Sequence, residues 1–482
     1  MMDPTFLPAW RLAELVRTGA VGCLELLDHY IARVERLDDR TNAVVVRDFD
    51  RARDRARALD RQRQDGRATP LFGVPMTVKE SFNVAGLRST WGHEEYRRNV
   101  ATEDALAVQR LTAAGAVVFG KTNVPVGLAD WQSYNPIYGA TANPWNLAHT
   151  PGGSSGGSAA ALAAGLTALE LGSDIGGSIR VPAHYCGVFG HKTTWGLCSG
   201  RGQSLLSVAA TTDIAVIGPL ARSAMDLSLA LDAIAGADPV LTTAVTPLPP
   251  PRATRLGDLR IAVWSSKLGQ ETDVETIAKI EALADFLESE GARVNRTARP
   301  EFDANEAFHV YVKLLSAALS GNATEAVLTR MREASTRRQP DDMSADAISC
   351  RAVDMTHRAW LQLNERRSQL RRAWSTFFRE WDVLLCPVIA TAALPHMQQG
   401  NTWERTVTVN GRSIPYNDML FWPGLTCGYH LPATTAPIGV TDAGLPIGVQ
   451  IVGPLYGDRT TIHVAGLLEQ HWRSFVPPPD WL

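Results

Sequence analysis

No run of 18 apolar residues occurs in the 482-residue chain, which argues against a helical membrane span. The N-terminus, Met1-Met2-Asp3-Pro4-Thr5-Phe6, has no basic segment followed by an apolar one. No signal peptide is therefore expected, and the expected location is cytoplasmic. An excess of one charge is also missing: 47 Lys and Arg against 50 Asp and Glu leave −3, which gives no support for nucleic acid as a partner. Cysteine is sparse. The six (Cys23, Cys186, Cys198, Cys350, Cys386 and Cys427) form no C-x-x-C and no tight framework, so free thiols in a reducing compartment are expected. Histidines are dispersed without an H-E-x-x-H, and no metal or other cofactor is expected.

What the chain does have is two clusters of glycine and serine. Gly152-Gly153-Ser154-Ser155-Gly156-Gly157 and Asp174-Ile175-Gly176-Gly177-Ser178-Ile179-Arg180 flank a run, Ser158 to Leu171, too apolar and regular to be loop. Glycine lets other groups approach bare backbone, at an entropy cost that a merely structural loop would avoid. Ser178 follows a Gly-Gly pair, so several amide N–H groups can converge beside its Oγ, as an oxyanion hole requires. A base is needed as well. His184 and His191 are close in sequence but in no recognisable triad arrangement, and triads are known by geometry rather than order. Lysine is the other candidate. Lys79 ends Gly73-Val74-Pro75-Met76-Thr77-Val78-Lys79, which reads as a buried strand, and burial lowers a lysine's pKa towards that of a general base.

The stretch Pro151 to Lys192, with Lys79 upstream, resembles the amidase signature family of serine hydrolases. Carried over, the resemblance implies Ser178 as nucleophile, Ser154 as the bridging serine in cis peptide geometry and Lys79 as base. The separations of 24 residues (154 to 178) and 99 (79 to 178) agree with that pattern. It also implies an oxyanion hole from the amides of Ile175, Gly176, Gly177 and Ser178, with Ser155 orienting the relay. Weaker similarity extends over Ala142-Asn143-Pro144-Trp145-Asn146 and Gly444 to Gln450. The fold implied is α/β, a three-layer α/β/α sandwich around a large mixed, twisted β-sheet.

Length alone suggests two or three domains, whereas the resemblance argues for a single amidase domain over 1–482. Its expected parts are N-terminal helices (1–70), the signature core (71–235), a variable, mostly helical substrate or lid region (255–380), and C-terminal strands and helix (381–482). Periodicity predicts helices over 9–18 and 23–37, a short strand at 42–46 and a charged helix within Asp48 to Gly66. A helix from Ala105 to Ala114 and a strand from Ala116 to Phe119 follow. Alternation of helix and strand favours a layered fold with a partly parallel sheet. Gly115 to Thr122 matches the phosphate-loop pattern G-x-x-x-x-G-K-[ST] letter for letter. That motif needs a strand before its first glycine and a helix after its Lys-Thr; here the middle residues read as the strand, and Pro125 follows.

Asp174 and Arg180 flank the nucleophile turn and are expected to pair and hold it, with Pro182 starting the next helix. Cys186 reads as an inert buried thiol. In the resembled family the segment at 127–138 lines the acyl side of the pocket, so Leu128, Ala129 and Trp131 are candidate substrate contacts; Trp131 reads equally well as core. Trp403, Phe421 and Trp422 are open to the same two readings. Beyond a Pro-rich linker at 242–254, a strand is expected at 259–264 and a helix at 277–291. Residues 303–380 read as mostly helical around a loop at 335–343. Strands at 383–385, 434–438 and 447–452 and a helix at 459–472 complete the reading.

The expected chemistry is acyl transfer to water, on a small-molecule amide, ester or carbamate, with apolar or aryl groups favoured by the aromatics. A homodimer is one expected assembly. The competing reading is the glutamine amidase subunit of a tRNA-dependent transamidation complex, which needs a partner. A non-catalytic scaffold would have lost one of Lys79, Ser154 or Ser178, and all are present.

Overall fold

Runs of apolar β-formers without polar alternation become strands buried on both faces. Val383–Pro387 and Pro446–Val452 are of this kind, buried at every residue. A computed structural model describes residues 3–63, 69–205, 208, 210–240, 247–267, 270–321 and 323–481. It places eleven strands in one mixed sheet. In chain order they are β1 (Val44–Arg47), β2 (Pro75–Lys79), β3 (Val117–Thr122), β4 (Leu169–Asp174), β5 (Phe189–Lys192) and β6 (Val216–Ala221). The others are β7 (Arg260–Val263), β8 (Arg293–Asn295), β9 (Val383–Pro387), β10 (Ala433–Val440) and β11 (Pro446–Val452). Across the sheet the order is β1-β3-β2-β4-β6-β5-β10-β11-β9-β7-β8. Parallel pairing is confined to β3-β2-β4 near one edge and β9-β7-β8 at the other; the pairs between them are antiparallel.

Side chains alternate between the faces of a strand, and the core divides accordingly. Val383 and Leu385 join one apolar cluster while Leu384 and Cys386 join another. The first is built with the N-terminal helices Ala9–Thr18 and Cys23–Leu37 and the terminal helix Asp458–His471. The second is rich in aromatics and lies under the helices Ala304–Ser320 and His357–Glu380. Helices on both faces of a large mixed sheet make the expected α/β sandwich.

Most of the predicted elements lie within a few residues of their expected bounds. The strands β5, β6 and β8 were not anticipated, nor was the hairpin Thr406–Val409 with Arg412–Pro415. Its turn, Asn410-Gly411, has positive φ at both residues (51° and 76°), the conformation that an Asn-Gly pair favours. The helix after the Ser178 turn begins at Arg180, so Pro182 is its third residue rather than its first. Residues 64–66 of the charged run and 242–246 at the start of the linker lie outside the described residues, while 247–254 have no regular structure. The phosphate-loop lookalike is resolved by β3, which runs on through Gly120-Lys121-Thr122. Lys121 is buried, and its Nζ donates to the Arg88 carbonyl and, at 3.0 Å, to Ser89 Oγ.

β2 and β4 are parallel neighbours, with Val78 opposite Leu171. Both run towards the same end of the sheet, where open α/β sheets usually carry their sites. The glycine-serine loop is pressed against that end: a Cβ on Gly157 would stand 2.3 Å from the Asn123 backbone nitrogen. Main chain cannot yield as a side-chain tip can. Gly157→Ala is therefore expected to destabilise the protein by about 1–3 kcal/mol or more, read as a lower urea unfolding midpoint; an unchanged midpoint would refute the close packing.

Candidate active site

The site begins with an amine carried to the end of a buried strand. Lys79, the last residue of β2, is fully buried. Its Nζ lies 2.7 Å from Ser154 Oγ and 2.9 Å from Ser173 Oγ. Burial pulls its pKa from 10.5 down to about 7, against a smaller upward pull from the Asp174 charge. Ser154 is itself buried and follows a cis peptide bond from Gly153. The loop that carries it is tied down on several sides. Ser133 Oγ donates to the Gly152 carbonyl and accepts from the Gly156 amide, both at 3.1 Å. The Ser155 amide donates to the Ser178 carbonyl at 3.1 Å, and Ser155 Oγ to that of Ser173 at 3.4 Å.

The second cluster turns around a carboxylate. Asp174 accepts from the amides of Gly177 (2.8 Å), Ile179 (3.1 Å) and Arg180 (3.4 Å). Arg180 also grips it bidentately, Nε to Oδ2 at 2.9 Å and Nη2 to Oδ1 at 2.8 Å, with both side chains fully buried. Burial raises the Asp174 carboxyl's pKa, but the Arg180 guanidinium more than offsets this and holds it well below the usual carboxylate range. Arg180 Nη1 continues to the Pro423 carbonyl, to Thr426 Oγ1 (2.7 Å) and to Gln450 Oε1. The turn is thereby fastened to the C-terminal part of the chain, and the pairing expected of Asp174 and Arg180 is present.

Ser178 stands on this turn, 6% exposed. The four amides expected to converge beside it are not equivalent. That of Gly177 is already committed to Asp174. Those of Ile175, Gly176 and Ser178 have no protein acceptor among the described residues. A Cβ at Gly177, whose φ is +100°, would lie 2.8 Å from Val181 Cγ2, so glycine suits this position twice over. The carbonyls of the turn are held from the other side: Trp131 Nε1 donates to Gly176 O at 2.9 Å, and Tyr311 Oη to Ile175 O at 3.2 Å.

Trp131 is thus buried and packed on Tyr416, with ring centroids 5.3 Å apart; it supports the turn as part of the core. Leu128 is half-buried and Ala129 exposed, on and after the short turn Val126–Leu128. Trp422 and Phe421 are core, Trp422 donating Nε1 to Thr272 Oγ1 at 2.9 Å, while Trp403 is half-buried. His184 and His191 make their hydrogen bonds elsewhere, His191 to Thr434 and Asp458. Cys186 is buried, and burial pushes its thiol pKa well up. Three polar residues of the site were not anticipated: Ser133, Ser173 and Gln203. Gln203 Nε2 reaches Ser173 Oγ at 3.0 Å, from a stretch that carries no sequence motif. Ser173 had a usable signal, since it directly precedes Asp174 at the start of the second glycine-serine cluster.

Comparison with known proteins agrees with this architecture. Residues 25–462 match the family model described as Amidase. A component of the glutamyl-tRNA(Gln) amidotransferase of Synechococcus sp. (strain CC9311) is 33% identical, over 96% of this chain and 96% of its own. The putative amidase AmiB2 of Mycobacterium bovis is also 33% identical, over 97% of each chain. Among solved structures, 6-aminohexanoate cyclic dimer hydrolase complexed with substrate superposes with a TM-score of 0.79 at 28% identity, covering 100% of both chains. By sequence and by architecture alike, the chain belongs to the amidase family, hydrolases acting on carbon–nitrogen bonds other than peptide bonds.

Proposed function

We propose that this chain is a self-sufficient amidase that cleaves the C–N bond of small, apolar or aryl amides through an acyl-enzyme on Ser178, with esters and carbamates as further substrates. The observation that carries the reading is the 2.7 Å contact between Ser154 and a buried Lys79 whose pKa is about 7. At neutral pH a large share of this amine is unprotonated and can accept a proton. Ser178 attacks the substrate carbonyl and passes its proton to Ser154, which passes its own to Lys79. The C–O bond forms as the carbonyl π electrons move to oxygen. The amides of Ile175, Gly176 and Ser178 receive that oxyanion, each such donor contributing on the order of 3 kcal/mol. Lys79 then returns the proton through Ser154 to the departing amine as the C–N bond breaks. Water repeats the sequence on the acyl-enzyme, so one difficult hydrolysis becomes two easier acyl transfers.

The preference for an apolar acyl group rests on the surroundings of the turn. Half-buried Ile175 packs on the aromatic-rich cluster, and a Cβ on Gly176 would meet Leu420 at 3.3 Å and the Tyr311 hydroxyl at 3.2 Å. Leu128, half-buried, is a further candidate contact. A second reading, the glutamine amidase subunit of a transamidation complex, is favoured by the 33% identity with the glutamyl-tRNA(Gln) amidotransferase component.

Ser178→Ala should abolish turnover with the fold intact, and Lys79→Ala should be nearly as damaging; a folded Ser178→Ala enzyme of normal activity would remove the mechanism. Because Lys79 must be neutral to act, kcat/KM should fall as pH drops below about 7 and approach tenfold per unit well below it. A profile flat to pH 5 would exclude the lysine base. Initial rates on an aryl amide, its matching aryl carbamate and glutamine separate the two readings. Cleavage of amide or carbamate, lost in Ser178→Ala, is the expected result. Turnover of glutamine alone, or of nothing until a partner protein is added, would favour the second reading.

A further inference from the structure

The long helix His357–Glu380 presents two unlike faces. Leu370, Trp374, Phe377 and Phe378 are buried in the aromatic-rich cluster. Ser368, Arg371, Arg372, Ser375 and Arg379, spaced at i, i+3, i+4, i+7 and i+11, line a cleft of about 850 Å³ instead. Arg252 and Arg260 also line it, donating to main-chain carbonyls at the end of this helix, and Leu431, Pro454 and Leu455 contribute an apolar wall. The cleft thus holds five guanidiniums, in a protein of net charge −3, and a single carboxylate, Asp382.

That carboxylate is already used. Arg260 binds it through Nε at 3.2 Å and Nη2 at 2.6 Å. Arg252 stands 3.8 Å from it and donates to the carbonyls of Phe378 and Trp381. Arg371, Arg372 and Arg379 form no ion pair and donate no hydrogen bond among the described residues. Arg379 lies in the helix's last turn, where a cation offsets the helix dipole. Arg371 and Arg372 are two turns further in, beyond that effect. All three line the cleft outside any ion pair among the described residues, so an anion there would meet guanidiniums that no carboxylate already holds.

We propose that this cleft is a binding site for a small phosphoryl anion, of diphosphate type, with an organic group against the apolar wall. The arginine fork matches the oxygens of phosphate bidentately. Three guanidiniums outside any ion pair match a diphosphate better than a monocarboxylate, and the volume falls within the range of about 300–1,000 Å³ usual for small-ligand sites. The site is separate from the residues proposed for catalysis and does not depend on their roles.

The test is calorimetric titration of inorganic pyrophosphate into the full chain at low ionic strength, beside the Arg371→Gln/Arg372→Gln double variant and the single Arg379→Gln. Saturable one-to-one binding is expected, weakened at least tenfold in the double variant, with amide hydrolysis by the free enzyme and the thermal midpoint unchanged. Absence of saturable heat would overturn the proposal, as would equal binding by wild type and both variants. Sulfate reproducing the effect at matched ionic strength would mean an adventitious ion only. Tighter binding of a short RNA duplex than of pyrophosphate, lost in the same variants, would also overturn it by making the cleft a nucleic-acid surface.

Discussion

Removing either partner from a buried, hydrogen-bonded ion pair leaves an uncompensated charge, which typically costs about 3–5 kcal/mol. The Asp174–Arg180 pair is of this kind, and the geometry of the site depends on it. Asp174 gathers three amides of the turn that carries Ser178, which fixes which way the remaining amides point. Arg180 reaches across to Pro423, Thr426 and Gln450, so residues from β4, the 423–427 segment and β11 share one set of charges. The pair acts as a rivet at the point where the turn meets the sheet.

The same carboxylate bears on the lysine. Burial lowers the Lys79 pKa and the Asp174 charge raises it; the balance is an amine near neutrality rather than one fixed in either state. Full burial without an anion would push the amine lower and make it a weaker base. An anion in direct contact would keep it charged. Asp174 contributes attraction without contact because its oxygens are occupied by Arg180 and the turn amides. Lys79 meets two hydroxyls instead, those of Ser154 and Ser173.

Much of this was legible in the residues, for physical reasons. The glycine pairs, the hydroxyls beside them and an apolar strand ending in lysine are local patterns, and the structure brings Lys79 into contact with Ser154 as the resemblance implied. Long apolar or amphipathic segments such as Cys23–Leu37 also declare themselves, because burial repeats at helical spacing. What escaped was set by tertiary contact. The commitment of Gly177's amide to Asp174 depends on how the turn closes; for Trp131 and Trp422 the residues left core and substrate contact both open, and what packs on them decides for core. β5, of four residues, and β8, of three, are too short to show a period. The Asn410-Gly411 hairpin did carry a local signal in its Asn-Gly pair.

The sheet order has a consequence for how the enzyme comes to exist. The hydrogen bonds of the site span 75 residues from Lys79 to Ser154, 94 from Lys79 to Ser173 and 270 from Arg180 to Gln450. Contacts so distant in sequence form only after loops of that length have closed, which makes them slow and late. During synthesis the nucleophile turn emerges long before β11, and its arginine waits for a partner from the end of the chain. A nascent chain therefore carries the serines and the lysine without the complete frame that holds them.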